Sequence, residues 1–180
     1  MAGKDSVIGH GQVLLINPWI YDFAAYNFWI EPLGLLTIAA ALQAEGYGVT
    51  VIDCLAADVP GSRVRADARS KFPKTEVDKP EAVAFVPRRY SRYGMAPDVF
   101  DAELRQAPVP DLVLVASGMT YWYPGVVEAI RRVRAQLGDV PVGLGGVYAT
   151  LCTAHAQEHA GADTVLPGPC LLYTSDAADE

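Results

Sequence analysis

Five short apolar runs, each closed by turn residues, constrain this chain more than any other feature. They are "QVLLINP" (Gln12–Pro18), "VTVIDCLA", "LVLVASGMT" (Leu112–Thr120), "VPVGLGG" and "ADTVLPG". A continuous apolar run of this length is the pattern of a strand buried on both faces. Between the runs, "PLGLLTIAAALQAEGYG" and "PGVVEAIRRVRAQLGD" carry apolar residues at helical spacing, and "LCTAHAQEHAG" reads as a shorter helix. Pro32 stands where a first-turn proline is tolerated, and Gly46 where a helix stops. Arg131, Arg132 and Arg134 are expected to snorkel to solvent. Strands and helices in alternation predict an α/β fold: a doubly wound, Rossmann-like or flavodoxin-like, mainly parallel five-stranded sheet. No internal repeat interrupts it.

The rhythm breaks between Ala57 and Pro110, a stretch much longer than an ordinary crossover. Lys71, Lys74, Lys79, Arg88, Arg89 and Arg92 lie there among prolines, and "APDVFDAEL" reads as one short helix. Such a segment is either a solvated basic insertion after the second strand, or one that covers a ligand or docks on a neighbour. The expected organisation is a disordered segment over 1–11, one α/β domain over 12–169 with the insertion at 57–110, and a foreign tail over 170–180.

With 180 residues, 51% of them apolar, the chain can bury a core. Its formal net charge is −7, and three of the acids, Asp176, Asp179 and Glu180, fall in the last stretch. A mildly acidic domain does not suit a phosphate backbone, so no nucleic-acid partner is expected. Cys54, Cys152 and Cys170 are widely separated and odd in number, and they form no CxxC pair, zinc spacing or disulfide framework. The start, "MAGKDSVIGHGQ", has no apolar signal core, and "PLGLLTIAAAL" is too short to span a bilayer. A cytoplasmic protein without a membrane partner is the expectation.

In open α/β sheets, ligands bind beyond the carboxyl ends of the strands, where strand order reverses. The residues leaving the strands are therefore the candidates. Asn17 leads into the aromatic loop "WIYDFAAYNFWI" (Trp19, Tyr21, Phe23, Tyr26, Phe28, Trp29). Ser117, Gly118, Met119 and Thr120 leave the third run, and Gly145, Gly146 and Tyr148 leave the fourth. Ser117 and Thr120 bring hydroxyls that can bond a ligand nitrogen or phosphate. Gly145 and Gly146 remove side chains where a ligand can lie against the main chain. Helices beginning near Pro124 and Leu151 aim their N-termini at the same edge, favouring an anionic group. Each feature alone is ordinary turn chemistry; together they suit a large ligand that carries a phosphate.

The run "SGMTYWYPGVVEAIRRVRAQLGDVPVGLGGVYAT" resembles the N-terminal cobalamin-binding domain of radical S-adenosylmethionine (radical SAM) enzymes. "VLLINP", "PLGLLTIAAALQAEGYGVTVID" and "KPEAVAFVPRRYSRYG" share the likeness, which extends from about Gln12 to Gly168. The resemblance implies that Ser117 bonds the dimethylbenzimidazole base and that Gly145–Gly146 admits the nucleotide tail, with Met119 standing where the family motif has Leu. It also implies that the aromatic loop forms an apolar floor under the corrin ring or packs on the next domain. The DxHxxG motif that brings a histidine to cobalt in methionine-synthase-like domains is absent. Radical SAM members often lack it, so a protein histidine on cobalt is not expected.

Two motifs tempt and fail. "HAQEH" (His155–His159) matches a metalloprotease pattern, but no third ligand follows the short helix, and no metal site is expected. "GLGGVYA" is not a dinucleotide fingerprint, because Tyr148 takes the place of the third glycine and the run does not open the domain. Radical SAM enzymes hold an iron–sulfur cluster and S-adenosylmethionine on a CxxxCxxC motif, and none is present here. "CLLYTSDAADE" resembles translated sequencing-adapter DNA, so the expectation is a fragment read into foreign sequence. The chain then reads as the cobalamin-binding module of a radical SAM enzyme, with the barrel of the same polypeptide as partner and radical chemistry, often methyl transfer, on an unactivated carbon. A stand-alone corrinoid carrier and a nicotinamide- or flavin-binding oxidoreductase are the alternatives.

Overall fold

The computed structural model describes residues 10–26, 31–61, 63–64 and 70–168. Phe28, Trp29, residues 1–9 and the tail from Cys170 lie outside the described residues. In chain order the elements are β1 (Gln12–Asn17), β2 (Ile20–Asp22), α1 (Leu33–Ala44), β3 (Gly48–Asp53), β4 (Arg63–Val64), β5 (Ser70–Lys71), β6 (Lys74–Glu76), β7 (Ser91–Tyr93), α2 (Pro97–Gln106), β8 (Leu112–Val115), α3 (Tyr123–Leu137), β9 (Val142–Leu144), α4 (Val147–Leu151), α5 (Thr153–His159) and β10 (Thr164–Val165).

Five strands form one parallel sheet in the order β10-β9-β8-β1-β3. This is the flavodoxin-like order, and strand succession reverses between β1 and β8. Period-2 alternation divides β1 between two cores. Leu14 and Ile16 pack on the side of α2, α3, α4 and α5, whereas Val13 and Leu15 pack on the side of α1. Helix α1 closes with paired bonds from Tyr47 N to Leu42 O and from Gly46 N to Gln43 O, both 3.0 Å, which satisfy its last carbonyls.

Several sequence expectations are corrected. The run Leu112–Thr120 leaves the sheet at Val115, because from Ser117 onward its backbone and side chain bond the exit of β9 instead. The short crossover helix starts at Val147 rather than near Leu151, and it breaks into two pieces at Cys152, whose φ of −128° is not helical. Nor do all three arginines of α3 reach freely into solvent. Arg132 is clamped between Glu128 and Asp101, each at 2.7 Å, and Arg134 meets Asp163 at 2.6 Å.

The long segment after β3 is built rather than merely solvated. Strand β7 pairs antiparallel with both β2 and β6, making a three-stranded sheet on the loop after β1, and β4 pairs with β5. Helix α2 then buries Phe100 against the Trp19 ring, centroids 4.7 Å apart, and packs beside α3. Trp19 is itself core: it is 1% exposed and its Nε1 donates to Met95 O at 2.7 Å. It therefore cannot serve as a floor for a ligand. Among the described residues no helix is long and apolar enough to cross a membrane.

Candidate functional site

The exits of β8 and β9 are joined past the point where the strands end. Gly145 N donates to Val115 O at 3.0 Å, and Val147 N to Ser117 O at 2.8 Å. Between them the Ser117 Oγ donates to Gly145 O at 2.6 Å, and Ala149 N reaches the same Oγ at 3.4 Å. Ser117 is only 5% exposed, so its hydroxyl is an internal clasp. Gly146 sits at φ 95°, and a Cβ there would run into the Ser117 carbonyl oxygen. The two loops thus meet main chain to main chain, and only glycine permits both the conformation and the approach.

The other sequence candidates are placed differently. Gly118 lies against the Trp122 indole, Met119 is exposed, and Thr120 opens a 3₁₀ turn over Thr120–Trp122. The Asn17 side chain turns away from Ser117 and donates to Asp53 Oδ1 at 2.7 Å, across to β3. Burial pushes the Asp53 carboxyl up, against the bonds from Leu55 N and Asn17. Tyr148 is 1% exposed, and its phenol meets His155 Nδ1 at 2.8 Å. Ser117, Gly145 and Gly146 come together; Asn17 and Tyr148 are occupied elsewhere. The His155 and His159 rings meet at a tilt, centroids 4.4 Å apart, and among the described residues no three His, Cys, Asp or Glu side chains are placed to hold a metal.

Sequence reasoning missed a second feature at this edge. A cleft of about 380 Å³ opens between the loop after β1, the inserted segment and the start of α3. Tyr21, Asp22, Phe23, Tyr90, Tyr121 and Tyr123 form most of its wall, and Pro80 and Val83 face them. Its loops are tied together: Trp122 Nε1 donates to Asp22 Oδ2 at 2.9 Å, and Tyr90 OH donates to Tyr21 O at 3.2 Å. Lys79 Nζ closes the 80–86 segment on Val86 O at 2.7 Å. Burial, and then the negative charge of Asp22, push the Tyr90 phenol up to about 12. The aromatic density of "WIYDF" and "TYWYP" was a visible signal, but nothing local in the sequence links Tyr90 or Pro80 to it.

Exposed apolar side chains line the same carboxyl edge beyond the clasp. Met119, Val147, Leu151 and Leu166 follow β8, β9 and β10, and all four are exposed. Thr150 fastens this rim: its hydroxyl donates to Gly146 O at 2.8 Å and accepts from Gly168 N at 3.0 Å.

No protein-family model matches the chain, and no curated protein matches it. Among solved structures, the fold is similar to one described as a novel cobalamin-binding protein from Desulfitobacterium hafniense DCB-2, with a TM-score of 0.49 and 13% sequence identity. The match covers 90% of this chain and 55% of that one, so this chain spans little more than half the length of that structure.

Proposed function

We propose that this chain is a corrinoid-binding module that takes the nucleotide tail of cobalamin between the exits of β8 and β9. One observation carries the reading: the clasp of Ser117 on the Gly145–Gly146 main chain at the carboxyl edge of a flavodoxin-ordered sheet. Ser117 Oγ can donate and accept, so it can exchange the Gly145 carbonyl for a ring nitrogen of the base. Gly146 contributes no side chain to obstruct that exchange, and Met119, Val147, Leu151 and Leu166 offer an apolar rim to a macrocycle.

The residues fit the tail of the cofactor but not a histidine on its metal. Among the described residues the loop after β1 holds no histidine. His10 lies against Tyr47, next to the start of β3, and His155 is bonded to Tyr148. When bound, the corrinoid supplies a cobalt centre able to carry a methyl group. The role of this chain is to seat and orient it. A nicotinamide reading is disfavoured because α1 begins at Leu33, well past the end of β1, without the glycine turn that brings a pyrophosphate to a helix N-terminus.

The parent polypeptide, on the resemblance alone, is a radical SAM enzyme acting on an unactivated carbon, with methyl transfer the leading reaction class. Its iron–sulfur cluster and S-adenosylmethionine would belong to a barrel outside these residues. Reading the gene past the codon for Gly168 tests this extension. A frame that continues into a CxxxCxxC supports it, and a stop after Glu180 moves a stand-alone carrier forward.

The module itself is tested by comparing cobalamin with cobinamide, which lacks the nucleotide tail. Cobalamin is expected to bind more tightly, and Ser117→Ala is expected to weaken cobalamin about tenfold while leaving cobinamide unaffected, the scale of one hydrogen bond. Equal affinity for the two corrinoids, or an equal loss for both, would remove the tail from the proposed contact.

A further inference from the structure

The aromatic cleft is separate from the clasp: neither Ser117, Gly145 nor Gly146 lines it. We propose that the cleft formed by Tyr21, Asp22, Phe23, Tyr90, Tyr121 and Tyr123 binds a small, free organic cation, a quaternary or otherwise alkylated ammonium group.

Three observations select that chemistry. First, five of these six side chains are aromatic, and tyrosine and phenylalanine faces attract a cation held over them. The protein already uses this attraction at the rim, where the exposed Arg88 guanidinium stands 6.0 Å from the Phe23 centroid.

Second, Asp22 is the one charged residue in the lining. It is held in place by Trp122 Nε1 at 2.9 Å and by Phe23 N at 2.6 Å. A neutral ligand would cover this carboxylate with no charge to compensate, and an anion would be repelled, so both pay the cost of desolvating it. A cation answers it.

Third, the cavity of about 380 Å³ lies at the lower end of the range for small-ligand sites, enough for an alkylated ammonium and too small for a corrin macrocycle. A bare ammonium keeps its hydration shell more tightly than an alkylated one, so alkylation favours entry into an apolar-walled cleft. Of the nearby basic side chains, Lys79 bonds Val86 O, whereas Arg92 and Arg88 stand against wall residues, at the Tyr21 phenol and the Phe23 ring.

The test is a calorimetric titration of the full chain, without corrinoid, using choline and its uncharged isostere 3,3-dimethylbutan-1-ol. Choline is expected to bind saturably and at least about tenfold more tightly than the alcohol, and Asp22→Asn to remove most of that difference. Because Asp22 also anchors Trp122, Tyr121→Ala provides a second variant at a position 53% exposed. It is expected to weaken choline about three- to tenfold, the range for one cation–π contact, with an unchanged circular dichroism spectrum. Equal affinity for choline and the alcohol, no saturable choline binding by the folded chain, or unchanged choline affinity in Tyr121→Ala would each overturn the proposal. Corrinoid retention is read separately, so either result stands without the other.

Discussion

Ser117 Oγ donates a 2.6 Å hydrogen bond to the carbonyl oxygen of Gly145, closing the sheet one step beyond the last ladder bond between β8 and β9. Ser117 is buried and Gly145 half-buried, so removing the donor leaves a partly shielded carbonyl without this partner. Ser117→Ala is expected to lower stability by about 1–2 kcal/mol, the usual cost of an unsatisfied buried acceptor. Urea unfolding followed by tryptophan fluorescence reads this directly. An unchanged midpoint would mean that the clasp contributes nothing to the fold.

Gly125, in the first turn of α3, lies against the Trp19 main chain, and a Cβ there would run into the Trp19 carbonyl oxygen. Trp19 is buried and bonded to Met95, so it cannot easily give way. Gly125→Ala is expected to cost roughly 2–4 kcal/mol, the scale of overpacking combined with a displaced backbone. A variant with wild-type thermal stability would contradict this packing.

Arg132 joins two helices by bonding Glu128 in α3 and Asp101 in α2. Burial, the largest influence, pushes the Glu128 carboxyl up, but bonds from Arg132 and Arg131 outweigh it and hold the carboxyl below its usual range. A carboxyl lowered in the folded state adds stability above its unfolded value, near 4.5, and that contribution is lost as pH falls through the folded value. Arg132→Met is expected to lower stability at pH 7 by about 1–3 kcal/mol and to flatten its decline as pH falls below the unfolded carboxyl value. The check is a set of urea midpoints across that fall in pH; parallel curves for the two proteins would rule out the linkage.

Burial pushes the Tyr90 and Tyr148 phenols up to about 12; the charge of Asp22 adds to the effect on Tyr90, and neighbouring Tyr123 to that on Tyr148. A phenol raised in the folded state contributes stability that is complete below its unfolded value, about 10, and is lost as pH rises through the folded value. Burial raises Tyr21 and Tyr93 as well, and of the nine tyrosines Tyr90 and Tyr148 are expected to be among the last to ionise in an absorbance titration at the phenolate band, together with unfolding. Tyr148→Phe should remove one late phenol. Titration of every phenol near 10 in a protein that remains folded would contradict the burial.

The sheet was legible because its strands are apolar on both faces. Val13 to Ile16 can only be a central strand, and it lies between β3 and β8. Boundaries were less visible where side chains take over from the ladder, as at Ser117, or where a helix turns without a breaker, as at Cys152. The segment from Ala57 to Pro110 could not be read locally, because β7 finds its partner in β2, at Tyr21 and Arg92, far away in the chain. The same non-local pairing creates the aromatic cleft and explains why Asp22 and Tyr90 went unnoticed. At the site, strand-end position put Ser117, Gly145 and Gly146 at one edge of the sheet, but not the bond from Ser117 to the Gly145 carbonyl, which is made between two loops far apart in the chain. The turning away of Asn17 and the burial of Tyr148 depend on Asp53 and His155, which strand-end reasoning did not consider.

The most direct test of corrinoid binding is to incubate the purified chain with hydroxocobalamin, pass it through a desalting column and record the visible spectrum of the protein fraction. The expected result is corrin absorbance co-eluting at close to one equivalent, reduced in Ser117→Ala and Gly146→Val variants that remain folded. A protein fraction without corrin absorbance, from a chain whose fluorescence is quenched by NADH, would contradict the assignment.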